Sequence, residues 1–157
     1  MVKLSPGALD VVEVAQAVEE AGADSISLIN TLVGMAIDVR RRKPVIANGT
    51  GGLSGPAGKP VAGRMGYQVA GAGSIPVVGL GGIASLNDAL EFFMAGASAI
   101  QVGTAVFVQP NILMDLIDQL PVWLDSQGCA SLDEIVGAAN PRFKSRTIYP
   151  ESEAATA

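Results

Sequence analysis

Two strands in tandem, each closed by glycine, constrain this chain more than any other feature. The first is Pro76-Val77-Val78-Gly79-Leu80, running into Gly81-Gly82-Ile83. The second is Ser98-Ala99-Ile100-Gln101-Val102, running into Gly103-Thr104. Between them, Leu86 to Ala95 has the apolar spacing of a helix, with Ser85 placed to cap its start and Gly96 to end it. A strand, a helix and a strand of this length predict a parallel pair joined by a right-handed crossover. Glycines at a strand's carboxyl end bare main-chain N–H groups, and such groups beside a helix N-terminus make an anion site. A single turn of this kind is also explained by turn chemistry with no ligand.

The same alternation runs through the rest of the chain. Val2-Lys3-Leu4 is a short apolar start, and Asp10 to Ala21 is an amphipathic helix stopped by Gly22. Ser25 to Ile29 predicts a buried strand, Pro60 to Ala72 a helix, and Ile112 to Gln127 another. A long loop, Asn30 to Pro60, separates the second strand from its helix and contains a possible strand pair around Ala36–Val39 and Pro44–Ala47. Loops of this length are functional or disordered in compact domains. Four strand–helix units begin at Val2, Ser25, Pro76 and Ser98. A complete (β/α)8 barrel takes about 250 residues, and its phosphate site follows strands seven and eight. The expected fold is therefore α/β, the C-terminal half of a TIM barrel with about four parallel units. It occupies residues 1–150, followed by a disordered tail at 151–157. An open four-stranded sheet is the competing architecture.

Composition narrows the chemistry. Hydrophobic residues make up 49% and aromatics only 4%, so the core must be aliphatic. Charged residues are 16%, which leaves part of the surface to be covered by a partner or by further chain, unless the Gly/Ala-rich composition alone accounts for it. A net charge of −5 makes nucleic acid an unexpected partner. No apolar run approaches the roughly 20 residues of a membrane span, nothing resembles a signal peptide, and the lone Cys129 suits a reducing cytoplasm. The absence of histidine excludes His–metal sites and His-based triads within these residues, and no metal is expected.

Five further features bear on function. Asn48-Gly49-Thr50-Gly51-Gly52-Leu53-Ser54-Gly55-Pro56 is too glycine-rich to pack a core; it could cover a flat ligand, or be a flexible surface loop. Ile29-Asn30-Thr31 ends the second strand with an amide and a hydroxyl, suited to a small polar planar molecule or to an Asx or ST turn. Lys3, on an apolar strand, is either solvated or paired with an anion. Cys129, beyond the last helix and with no base at hand, reads as an ordinary thiol. The Arg40-Arg41-Arg42-Lys43 run is a solvated hairpin tip or a contact for an acidic surface.

Taken in order, these motifs resemble the dihydroorotate dehydrogenases. The likeness begins at Lys3-Leu4-Ser5-Pro6 and continues through Ser27 to Asp38, with its Asn30-Thr31-Leu32-Val33-Gly34-Met35-Ala36 block. It takes in Ala47 to Pro56 and both glycine turns, covering about residues 2 to 128. The spacing resembles that of the class 1B, NAD-linked catalytic subunit.

The resemblance implies an FMN enzyme of pyrimidine biosynthesis, oxidising dihydroorotate to orotate. Lys3 would contact the flavin ring and stabilise its anionic reduced form. Ile29 would pack on the flavin through its backbone, and Gly55 would lie against the ribityl chain or phosphate. Gly81, Gly82, Gly103 and Thr104 would hold the phosphate, and Asn30 and Thr31 the pyrimidine ring of orotate. The family's general base is a loop cysteine in the first half of the barrel. Cys129 does not match that position, so no catalytic residue is expected in this chain. A cut through the fifth strand at Met1 is expected, which makes the chain a fragment that binds flavin weakly and turns nothing over by itself. Implied partners are the N-terminal half of the barrel, a second copy in a homodimer, and an electron-transfer subunit carrying FAD and an iron–sulfur cluster. The alternatives are a non-catalytic half-barrel that binds FMN or phosphate, and another FMN or phosphate barrel of the IMP dehydrogenase kind.

Overall fold

A computed structural model describes residues 1–144. The tail expected at 151–157, and the last residues of the 1–150 unit, lie outside the described residues. The chain runs β1 (Val2–Leu4), α1 (Val11–Glu20), β2 (Ile26–Leu28), β3 (Leu32–Gly34), β4 (Ile37–Asp38), β5 (Lys43–Pro44) and β6 (Gly51–Leu53). A 3-10 turn (Pro56–Gly58) then leads into α2 (Lys59–Ala72), β7 (Val77–Leu80), α3 (Leu86–Ala95), β8 (Ala99–Gln101), α4 (Thr104–Val108) and α5 (Ile112–Gln127).

The fold is α/β around one parallel sheet in the order β1-β2-β7-β8. Register and the two-residue alternation of strands sort its side chains. Leu4, Leu28, Gly79 and Ile100 share one face, and Lys3, Ser27, Val78 and Ala99 the other. The first face packs on α1, α2 and α3, where Met65, Val69, Ala62, Leu90, Phe92 and Phe93 are buried against Leu4, Ile26, Leu28 and Val77. Gly79 is glycine because of this layer: a Cβ there would lie 2.5 Å from Cδ1 of Phe92. The second face carries Lys3, Leu80 and Gln101 into the functional cleft.

Local signals set the helix ends. The Asp10 carboxylate caps α1, accepting from the amides of Val12 at 2.8 Å and Glu13 at 3.2 Å. Ser85 caps α3, accepting from Asp88 N at 3.2 Å, and Gly96 ends that helix in the left-handed region at φ 114°. The segment beyond α5 is tied back by Asn140, only 3% exposed, whose Nδ2 donates to the carbonyls of Tyr67 at 2.9 Å and Ala95 at 3.0 Å.

The long Asn30–Pro60 connection departs from the sequence expectation. It is a two-tier antiparallel arm, with β3 on β6 and β4 on β5. The outer pair falls where a strand pair was expected but is shorter, so Lys43 belongs to a strand and the exposed tip is Arg40 to Arg42. Asp38 shapes that tip by accepting from the amides of Arg40 and Arg41 at 3.0 and 2.9 Å. The inner pair was not expected, because Gly51-Gly52-Leu53 has poor intrinsic strand preference and the opposing β3 decides its conformation. The short α4 was also not anticipated. Exposed apolar side chains gather on the arm (Val33, Met35, Ile37, Val39, Val45) and on α4 and α5 (Phe107, Val108, Met114, Ile117, Val122). Among the described residues no helix is long and apolar enough to cross a membrane.

Candidate functional site

The carboxyl ends of β1, β2, β7 and β8, with the base of the arm above them, enclose a cavity of about 660 Å³. Lys3, Ile29, Asn30, Thr31, Gly55, Gly81, Gly82, Gly103 and Thr104 all line it. The structure therefore brings together every site residue expected from the sequence.

One end of the cavity is built from three segments of bare backbone. Gly81 and Gly82 leave β7 with φ of 130° and 78°, a conformation that side-chain-bearing residues rarely adopt. A Cβ on Gly82 would lie 2.7 Å from the carbonyl oxygen of Gly55 and 2.9 Å from the amide nitrogen of Lys59. The Gly82 turn thus abuts the start of α2, where the Gly58 and Lys59 amides are held by the carbonyls of Gly55 and Pro56. Gly55, at φ 83°, would place a Cβ 3.8 Å from Cγ2 of Thr104, so the turn after β8 closes the third side. A Cβ on Gly103 would meet nothing within 4 Å.

The other end is polar and lies over β1 and β2. Ile29 is buried, and its amide donates to Leu80 O at 3.1 Å while Asn30 N donates to Leu4 O at 3.1 Å, so pairing continues past β2. The Leu28–Ile29 peptide is cis. Asn30 Oδ1 accepts from Thr31 N at 2.9 Å. This bond spans adjacent residues, not the two-residue step of an Asx turn, and Asn30 and Thr31 both line the cavity. Thr31 sits directly beneath Gly52 of the arm, where a Cβ would collide with its side chain. The arm's glycines are what let it close down on the strand ends.

Three polar lining residues escaped the sequence reading: Ser54, Gln101 and Gln109. Gln101 was legible in principle, as the last residue of β8 on the same face as Leu80, with which it pairs. Ser54 lay within the glycine-rich candidate segment without being singled out in it, and Gln109 carried no signal, because the α4–α5 turn positions it. Among the described residues, Lys3 is the single ionisable side chain lining the cavity. Cys129 packs against the core beyond α5 and does not line it. No group of three or more Cys, Asp or Glu side chains among the described residues could hold a metal.

Just behind the glycine end stands an ion cluster. Lys59 Nζ lies 2.6 Å from Asp88 Oδ1 and 2.8 Å from Glu91 Oε1. Asp88 Oδ2 also accepts from Ala84 N at 3.0 Å and from Ser85 Oγ at 2.8 Å. Hydrogen bonds to Asp88 and Glu91 raise the Lys59 pKa. Burial pushes the Asp88 carboxyl up, but the bonds from Lys59, Ser85 and Ala84 outweigh it and hold its pKa below the ordinary value.

A parallel α/β layer with a glycine-walled cleft at its carboxyl strand ends has the architecture of the α/β class, whose ligand sites lie at those ends. Residues 1–124 match the family model described as dihydroorotate dehydrogenase. The chain belongs to the dihydroorotate dehydrogenase family. It is 58% identical over 138 residues to the dihydroorotate dehydrogenase B (NAD(+)) catalytic subunits of Halalkalibacterium halodurans and of Trichlorobacter lovleyi, covering 88% of this chain and 45% of each relative. The protein of the same name from Bacteroides thetaiotaomicron is 55% identical over 138 residues, 88% of this chain and 46% of the relative. The chain thus spans a little under half the length of these curated relatives.

Proposed function

We propose that this chain supplies the cofactor-phosphate site and part of the substrate site of an FMN-dependent dihydroorotate dehydrogenase of the NAD-linked type. The observation that carries the proposal is the convergence of Gly55, Gly82 and Thr104 at one end of a cavity whose other end holds Lys3, Asn30 and Thr31. Strands lie about 4.8 Å apart, so the step from β1 to β8 is roughly 14 Å. An elongated ligand, flat at one end and anionic at the other, suits such a cleft. FMN fits the donor set: amides at Gly81, Gly82 and Gly103 and the Thr104 hydroxyl would hold its phosphate, and Lys3 would contact the ring. Ile29 would pack on the flavin through its backbone, and Gly55 would lie against the ribityl chain or phosphate. When bound, FMN supplies the hydride acceptor for the reaction.

The chain's own residues orient and exclude water. Asn30 Nδ2 and the Thr31 hydroxyl present donors to the carbonyl oxygens of a pyrimidine, and Oδ1, tied to Thr31 N, fixes which way the amide points. Gly51 to Gly55 lay the arm over the strand ends. Oxidation of dihydroorotate also needs a proton acceptor, and among the described residues no carboxylate or thiol lines the cavity to serve as one. We assign the acceptor to the part of the barrel that lies outside the match to the longer relatives, where a complementary half of an eight-stranded barrel would complete the cavity. A second catalytic subunit and an electron-transfer subunit with FAD and an iron–sulfur cluster complete the assembly in a cytoplasmic setting. The apolar arm and the α4–α5 face are surfaces that association would cover.

The test is a titration of the full chain with FMN and with riboflavin, followed by tryptophan and flavin fluorescence, with and without a co-expressed polypeptide matching the first half of the longer relatives. FMN should bind more tightly than riboflavin in both arms, and orotate should form only in the second. Equal affinities for the two flavins would overturn the phosphate site. Turnover by the chain alone would overturn the assignment of the proton acceptor.

A further inference from the structure

Lys59, Asp88 and Glu91 do not line the ligand cavity, yet their cluster touches both walls of the glycine end. Lys59 is the first residue of α2, and its amide nitrogen would lie 2.9 Å from a Cβ on Gly82. Asp88 sits in the first turn of α3, and one of its oxygens holds Ala84 N and Ser85 Oγ, which close the Gly81–Ala84 turn. Its other oxygen takes Lys59 Nζ at 2.6 Å. One carboxylate therefore ties the turn after β7 to the start of α2 across the gap where the two backbones meet. The lysine is committed to two carboxylates on α3, so its charge is directed to the strut and not into the cavity.

From this we infer that Lys59 and Asp88 are positioning residues: their ion pair sets the spacing between the α2 N-terminus and the Gly82 turn, and so tunes the grip on a phosphate. The inference rests on the phosphate reading of this site. Backbone donors act as an anion cradle only when their spacing matches the anion. A pair that bridges two separately folded βα units is the natural place to fix that spacing, because no local hydrogen bond within either unit constrains it. Substituting either partner leaves every lining residue in place while freeing one wall to drift from the other.

The experiment measures the ratio of FMN to riboflavin affinity in the full chain and in Lys59→Met, Asp88→Asn and the double variant. The Met stem keeps the packing of the lysine stem, and Asn keeps one acceptor for Ala84 and Ser85. Each single variant should lower the ratio about tenfold while riboflavin affinity changes little, and the double variant should be no worse than either single. Equal loss for both flavins would reduce the pair to general stability and overturn the inference. A ratio that falls in Lys59→Met but rises in Asp88→Asn would mean that the lysine acts on the phosphate directly, which also overturns it. An unchanged ratio in both variants does the same. If the unaltered chain shows no preference for FMN, the phosphate reading itself fails, and that outcome is distinct from a preference that survives the substitutions.

Discussion

Replacing Gly82 with Ala tests the cradle at its tightest point. The new Cβ would stand 2.7 Å from Gly55 O, at least about 0.7 Å inside the 3.4 Å where ordinary contact begins. Its other neighbours at 2.9 Å are Lys59 N and Cβ, so two of the three nearest atoms are backbone and cannot swing aside. Gly82 also sits at φ 78°, which costs a residue with a Cβ about 1–2 kcal/mol. Overpacking of this kind adds about 1–3 kcal/mol, so Gly82→Ala should lose about 3 kcal/mol of stability in urea denaturation. A domain of ordinary stability, about 5–15 kcal/mol, survives that. The Gly82 turn must then part from α2, and losing one charge-assisted hydrogen bond costs about 1.5–3 kcal/mol. FMN affinity should fall roughly ten- to hundredfold, with riboflavin affected far less. An unchanged urea midpoint together with FMN affinity within about twofold of the unaltered chain would refute the reasoning, since neither the contact nor the donor geometry would then matter.

Other substitutions probe the scaffold. Asn140→Ala should cost about 2–3 kcal/mol by equilibrium unfolding, because it strips partners from the carbonyls of Tyr67 and Ala95 at a site only 3% exposed. Asp10→Ala should cost about 1 kcal/mol, the usual value of an N-cap that serves two amides, with flavin selectivity unchanged. The Lys59–Asp88 pair has a defined pH window. The Asp88 pKa is lowered from 3.8 on folding, so its contribution is present above that value and is lost as pH falls through the lower folded pKa. The Lys59 pKa is raised from 10.5, so its contribution is complete below that value and is lost only as pH rises through the higher folded pKa. Stability should therefore be flat with respect to this pair between about pH 5 and 9, and Asp88→Asn should soften the acid limb of a pH-dependent unfolding series.

Much of the molecule was legible in the residues alone, because the signals involved are local. Ser85 and Gly96 bracket α3 through their own backbone chemistry, and Asp10 does the same for the start of α1. The four parallel strands followed from short apolar runs separated by helical spacing, and the glycines that end β7 and β8 marked the ligand side of the sheet. Lys3, Asn30, Thr31, Gly82 and Thr104 stood out as candidates at or near strand ends, the family resemblance chose among their alternative readings, and all five line the cavity. Tertiary structure alone decided the rest. Gly51-Gly52-Leu53 became a strand because β3 lies opposite to receive it, and glycine's weak preference yields to whatever partner is at hand. Ser54 and Gln109 reached the cavity through the path of the arm and the turn between α4 and α5. The bond from Lys59 to Asp88 joins residues 29 positions apart whose meeting no local rule specifies. Caps, turns and alternation are written within a few neighbouring residues, whereas contacts between units depend on how whole elements pack.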